Sequence, residues 1–260
     1  MWFPHPWVTT ARTEARPPET FSTGDDGAHG GAPSELFPRS KTARTEVRPP
    51  ISLTTNHFFM RIISGKAGGL RLQAPVGAQV RPTEDRVKES LFSVLGDLDG
   101  LTVLDLFSGT GALGLEALSR GALRVLLVER DQAQAESIRA NLSALLRLYP
   151  EAKDRASVLV CDVACLATQL QSLRFPQADL LLADPPYHPA ENEYGGEKLL
   201  LDASLHDWLA PSCRLVLEHE TGTVLPWSPF SRWKLTRQKT CGLRTLSFAE
   251  LLASAEEDEW

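Results

Sequence analysis

From Leu101 onward, short apolar runs alternate with stretches in which apolar residues recur every three or four positions. The runs at 101–106, 124–129, 157–161, 178–183 and 214–218 are predicted strands. Between the second and third, Ile138, Leu142, Leu145, Leu146 and Tyr149 fall on one face of a predicted helix. Strand, helix, strand in this rhythm needs right-handed crossovers and builds an α/β fold with a mainly parallel, doubly wound sheet. Upstream, residues 61–65 and 70–72 are predicted short strands about a glycine-rich turn. Thr83 is positioned to cap a helix that carries Val87, Leu91, Val94 and Leu95 on one face.

Ligands on such sheets lie beyond the carboxyl ends of the strands, so the residues closing each strand carry the chemistry. After the first strand, Gly109, Gly111 and Gly114 satisfy GxGxxG, and Glu129 closes the second strand 20 residues after Gly109. Bare glycines admit a ligand close to the backbone, and an acid after the second strand can hold two ribose hydroxyls. Asp105, four residues before Gly109, separates two adenosine-bearing ligands. A carboxylate there repels a pyrophosphate but attracts an α-ammonium group, which favours S-adenosyl-L-methionine over a nicotinamide dinucleotide. Asp162 after the third strand either accepts the adenine amine or caps the next helix, and one residue can do both.

The fourth strand ends in Asp184-Pro185-Pro186-Tyr187. Two prolines remove two N–H donors, leaving their carbonyls and the Asp184 carboxylate as a cluster of acceptors. Such a cluster suits an amino group conjugated to a ring: bonding both hydrogens localises and aims the nitrogen lone pair for in-line attack on a methyl sulfonium. Tyr187 supplies a flat face for a base, worth about 1–3 kcal/mol in comparable stacks.

Composition narrows the class. With 260 residues, 42% apolar and 23% charged, the chain can bury one sizeable core beside extra segments. It has neither an apolar run of the roughly 20 residues that cross a bilayer nor a secretory signal, so a soluble, cytoplasmic protein is expected, with no membrane partner. Cys161, Cys165, Cys213 and Cys241 form no CxxC pair and are expected as reduced thiols. No Cys follows a Pro, which disfavours cytosine-C5 methylation, and the 6 His show no HxH or HxxxH grouping, so no metal is expected.

The net charge of −6 hides an uneven distribution. Residues 89–231 hold 10 basic and 20 acidic residues. Before them stand Arg61, Lys66, Arg71, Arg81, Arg86 and Lys88; after them stand Arg232, Lys234, Arg237, Lys239 and Arg244. Two basic flanks around an acidic middle would meet a polyanion if the fold brought them to one face. The first 59 residues hold 8 of the 18 prolines and balanced charge, and repeat TARTEARPP (10–18) as TARTEVRPP (42–50). They are expected to form a disordered Pro/Gly-rich leader, with Met60 the expected start of the native protein.

The combination of LDLFSGTGALGLEALSRGA (104–122), LLLADPPY (180–187) and the leader RIISGKAGGLRL…RPTEDRVKESLF (61–92) resembles the bacterial 16S ribosomal RNA (guanine-N2)-methyltransferases, the RsmD family. The likeness runs from about residue 60 to 252 and implies the Rossmann-like class I S-adenosylmethionine-dependent methyltransferase fold. By that resemblance Asp105, Phe107, Gly109 and Gly111 contact the cofactor, Glu129 its ribose and Asp162 its adenine. Asp184 and Pro185 hold the guanine amine and Tyr187 stacks on the base. Arg61, Lys66, Arg71, Arg81, Arg86, Arg237 and Lys239 are the expected RNA contacts. A monomer acting on 16S rRNA within the assembled or assembling small ribosomal subunit is implied. The expected division is a leader at 1–59, a hairpin and helix at 60–100, a methyltransferase domain at 101–252 and an acidic tail at 253–260. The rivals are an adenine-N6 DNA methyltransferase, a protein-glutamine methyltransferase, which favours Asn at position 184, and a nicotinamide-dinucleotide-binding module.

Overall fold

In chain order the strands are β1 (Thr102–Leu106), β2 (Arg124–Glu129), β3 (Ala156–Val160), β4 (Ala178–Ala183), β5 (Leu209–Glu220), β6 (Trp233–Cys241) and β7 (Arg244–Leu251). The helices are α1 (Asp85–Leu95), α2 (Ala112–Ser119), α3 (Gln132–Leu148), α4 (Leu166–Leu173) and α5 (Gly196–Leu201). This computed structural model describes residues 60–74 and 85–253. The leader at 1–59, Arg81, Thr83 and the acidic tail from 254 lie outside the described residues.

One 7-stranded sheet runs in the order β3-β2-β1-β4-β5-β7-β6. β1 to β5 pair in parallel, whereas β7 is antiparallel to both β5 and β6. The five predicted strands are present, the first starting one residue later, the third shifted by one residue and the fifth longer at both ends. β6 and β7 were not expected. β6 is an edge strand whose Lys234, Arg237 and Lys239 face solvent, so it lacks the apolar alternation that would reveal it. The charged edge also discourages pairing with another sheet.

β1 is buried at all five positions and β4 at five of its six, as parallel strands covered on both faces must be. On one face Val103, Leu127, Leu182, Val216 and Phe248 share a core with α1 residues Val87, Leu91 and Leu95. On the other, Leu104, Leu126, Leu181 and Leu215 pack with Leu166 and Leu170 of α4 and Leu199 and Leu200 of α5.

The two short strands expected at 61–65 and 70–72 reduce to an isolated bridge between Arg61 and Arg71, closed by Ile62 N to Leu70 O at 2.8 Å and Leu72 N to Met60 O at 2.8 Å, with the glycine-rich turn between them. It is fastened to α2 by a buried carboxylate: Glu116 accepts Ile63 N at 2.6 Å, Ser64 N at 3.0 Å and Arg120 Nε at 2.7 Å. Ser119 Oγ accepts Ala67 N at 2.9 Å and donates to Ser64 O at 2.7 Å. Gly65, at φ +83°, must lack a side chain because a Cβ would lie 1.9 Å from Ser119 O. On α3, Asn141 accepts from Gln73 N at 2.8 Å and donates to Gln73 O and Thr110 O. Every residue of α2 is consequently buried, and the helix that follows the glycine loop is held from both sides.

Candidate active site

The turn from β1 into α2 is shaped by glycine. Asp105, 1% exposed within β1, accepts Gly114 N through Oδ2 at 2.8 Å. A Cβ on Gly114 would stand 2.8 Å from that same oxygen, so only glycine lets α2 approach the carboxylate so closely. Burial pushes the Asp105 carboxyl up to about 7; the Gly114 and Ser108 hydrogen bonds pull it down, and the Glu129 charge adds to the rise. Phe107, Gly109 and Gly111 all take positive φ here, at 58°, 57° and 79°. A non-glycine residue such as Phe107 in that region is strained, a feature that clusters at functional turns.

Glu129 closes β2 in a nearly buried position and braces the loop. Its Oε2 accepts Gly109 N at 2.8 Å and its Oε1 accepts Asp131 N at 2.9 Å, each oxygen keeping a free lone pair. Asp162 accepts Ala164 N at 2.9 Å as the cap of the following turn, the bland half of its two expected roles. Arg130 joins these elements to the segment after β4: its Nη2 bonds Glu193 at 2.9 Å and its Nη1 lies 3.9 Å from Asp162. The Tyr194 ring of that segment sits 6.3 Å from Phe107.

The second half of the site lies past β4. Ala183 pairs with Leu106 on one side and Leu217 on the other, so Asp184 follows β4 between the ends of β1 and β5. Burial first, then the charges of Glu218 and Asp105, push the Asp184 carboxyl well above the usual carboxylate range, while Arg244 draws it back. Tyr187 is half-buried and donates its hydroxyl to Glu218 Oε1 at 2.7 Å. Arg244 Nη1 reaches the same oxygen at 3.2 Å. Among the described residues, no three His, Cys, Asp or Glu side chains come together as metal ligands would.

Asp105, Phe107, Gly109, Gly111, Glu129, Asp162, Asp184, Pro185 and Tyr187 therefore gather at one end of the sheet. Glu218 and Arg244 were missed as members of the site. Glu218 closes the predicted fifth strand, and the strand-end rule that selected the other acids would have found it. Arg244 is spent on Glu218, which corrects its expected place among the phosphate-seeking cations. Lys88 needs the same correction: it is buried, donates to Arg61 O and stands 3.8 Å from Asp85. Arg61, Lys66, Arg71, Arg86, Arg237 and Lys239 are exposed, on the hairpin, α1 and β6, with Arg61 bonded to Asp85 at 2.8 Å.

A family profile described as "Conserved hypothetical protein 95" matches residues 60–250. The chain belongs to this family. It is 36% identical over 185 residues to "Putative rRNA methyltransferase YlbH" of Bacillus subtilis, covering 71% of this chain and 95% of that one. It is 32% identical over 200 residues to "Ribosomal RNA small subunit methyltransferase D" of Escherichia coli, covering 76% of this chain and 93% of that one. The solved structure "Putative methyltransferase yhhF from Escherichia coli" superposes with a TM-score of 0.61 at 32% identity, over 75% of this chain and 99% of that one. The fold is thus the Rossmann-like α/β fold of the class I methyltransferases, and the resemblance to the RsmD proteins drawn from the motifs holds. The matched span opens at Met60, so the family includes the hairpin that clasps α2.

Proposed function

We propose that this chain is an S-adenosyl-L-methionine-dependent methyltransferase that modifies the exocyclic N2 amine of a guanine in 16S ribosomal RNA of the small ribosomal subunit. The observation that carries the proposal is the crowding of Asp105, Asp184 and Glu218 near the carboxyl ends of β1, β4 and β5, with Asp105 and Asp184 held toward neutrality by burial. A dinucleotide would add phosphate charge to this cleft, whereas S-adenosylmethionine brings an ammonium and a sulfonium.

The residues present fit that group. Asp105 would take the ammonium, and Phe107, Gly109 and Gly111 would line the methionine portion with backbone. Glu129 would accept the ribose hydroxyls on its free lone pairs, and Asp162 would meet the adenine. Bound there, S-adenosylmethionine supplies a methyl group on an electrophilic sulfonium. Asp184 and the Pro185 carbonyl would accept the two amine hydrogens, aiming the nitrogen lone pair at the methyl carbon. Asp184 would also take the proton that the amine gives up on methylation. Tyr187 would hold the base by its ring.

Guanine N2 in a helix points into the minor groove, so a base presented singly in a loop is the accessible target. The printed names of the relatives support ribosomal RNA, and exposed Lys66, Arg86, Arg237 and Lys239 support a phosphate-bearing partner. The test is transfer of labelled methyl to small subunits purified from a strain deleted for this gene, followed by nucleoside mass spectrometry, with duplex DNA in parallel. N2-methylguanosine in the rRNA is expected; N6-methyladenine in the DNA, or no transfer to rRNA, would overturn the proposal.

A further inference from the structure

Glu218 is a buried acid with one oxygen engaged and one idle. Its Oε1 takes both available donors, Tyr187 Oη at 2.7 Å and Arg244 Nη1 at 3.2 Å. Its Oε2 is buried, and among the described residues no donor reaches it. Burying a carboxylate with an unpartnered oxygen costs stability, and a glutamine would serve the Tyr187 hydroxyl as well, so anchoring alone does not account for the charge. Its position does. Leu217 pairs with Ala183 across β4 and β5, which puts Glu218 on the next rung, beside Asp184.

We propose that Glu218 is a positioning residue for the transfer step: it fixes the Tyr187 ring through its hydroxyl and, set against Arg244, governs the charge that Asp184 presents to the target amine. This role presupposes the methyl transfer proposed above. The charged and titratable groups facing Asp184 are Glu218 from β5, Arg244 from β7, Asp105 from β1 and Tyr187 from its own segment. Glu218 opposes ionisation of Asp184 and Arg244 favours it. Asp184 must be ionised to take the proton that the amine gives up, so transfer falls as pH drops through the Asp184 titration. Neutralising Glu218 removes a repulsion and moves that acid limb to lower pH; neutralising Arg244 removes an attraction and moves it to higher pH. A side chain that only holds Tyr187 in place would change the rate by the same factor at every pH.

The experiment measures single-turnover methyl transfer by the full chain to small subunits from the deletion strain, between about pH 6 and 9, for wild type, Glu218→Gln and Arg244→Gln. Calorimetry with S-adenosylmethionine and a thermal melt accompany each protein. The Glu218→Gln limb is expected to fall by about one pH unit, so that its rate relative to wild type rises about tenfold toward acid, and the Arg244→Gln limb to rise. The opposite signs keep the test decisive if one variant fails to fold. Limbs that coincide with wild type, with rates scaled by a constant, would overturn the role of Glu218 alone. A wild type inactive on these subunits would instead overturn the methyltransferase proposal, and this role with it.

Discussion

Replacing Asp105 with Asn tests how the cofactor end of the cleft stores its preference for a cation. Burial pushes the folded carboxyl from its ordinary 3.8 up to about 7, so between those values the native state binds more protons than the unfolded chain. Stability then falls as pH rises through that window, because the charged form is the one burial disfavours. At about 1.36 kcal/mol per pH unit across that window, the cost is about 4 kcal/mol at pH 8 and under about 2 kcal/mol at pH 5. Asn keeps an oxygen for Gly114 N and has nothing to titrate. Any fixed cost of its amide cancels in the difference, so stability relative to wild type should improve by about 2–3 kcal/mol from pH 5 to pH 8. Urea melts of the ligand-free protein at the two pH values read this directly. The same variant should bind S-adenosylmethionine far more weakly, since the ammonium loses its counter-charge. A stability difference unchanged between the two pH values would show that Asp105 does not ionise within this window, and the electrostatic argument for the cofactor would fall with it.

Glu129→Ala should weaken S-adenosylmethionine binding by about 1.5–3 kcal/mol in calorimetric titration, because two ribose hydroxyls lose a charged acceptor. Unchanged affinity would remove Glu129 from the ribose. Glu116→Ala removes the acceptor of the partly buried Ile63 and Ser64 N–H groups, at about 1 kcal/mol each, and should lower the midpoint of a urea melt, whereas a surface change such as Glu136→Ala should not. Arg237→Ala and Lys239→Ala should each reduce the slope of log affinity against log salt for ribosomal RNA by about one. Slopes equal to wild type would take β6 out of the RNA interface.

The sequence makes plain whatever rests on long apolar runs and on residues that punctuate them. β1, β2 and β4 are built on short apolar runs, and Asp105 one residue before the end of β1, Glu129 closing β2 and Asp184 directly after β4 stand at the strand ends, where ligands are expected. β6 escaped because six of its nine positions are exposed and it carries Lys234, Arg237 and Lys239, which look like a cationic flank rather than a strand. The same cause misplaced Arg244: only the antiparallel return of β7 along β5 brings it to Glu218, a pairing between residues 26 apart that no local pattern encodes. Lys88 lies on the inner side of α1, and the hairpin that buries it contacts it across the long gap to Arg61. The clasp of Glu116 on Ile63 and Ser64 is similarly invisible, since an acid within an apolar helix looks like an exposed position until the hairpin folds over it.

The central claim is that the Asp184-Pro185-Pro186-Tyr187 corner beside the Asp105 cleft methylates a guanine amine in ribosomal RNA. The most direct measurement is nucleoside mass spectrometry of small-subunit rRNA from a deletion strain carrying either the wild-type gene or Asp184→Ala, with S-adenosylmethionine affinity measured on both purified proteins. Loss of the acceptor should cost about 2.7–4 kcal/mol of transition-state stabilisation, by analogy with removal of a preorganised oxyanion donor. One N2-methylguanosine should be restored by wild type and be absent with Asp184→Ala, while cofactor affinity stays within a few fold. Full methylation by Asp184→Ala, or a methyl group restored on another atom, would contradict the account.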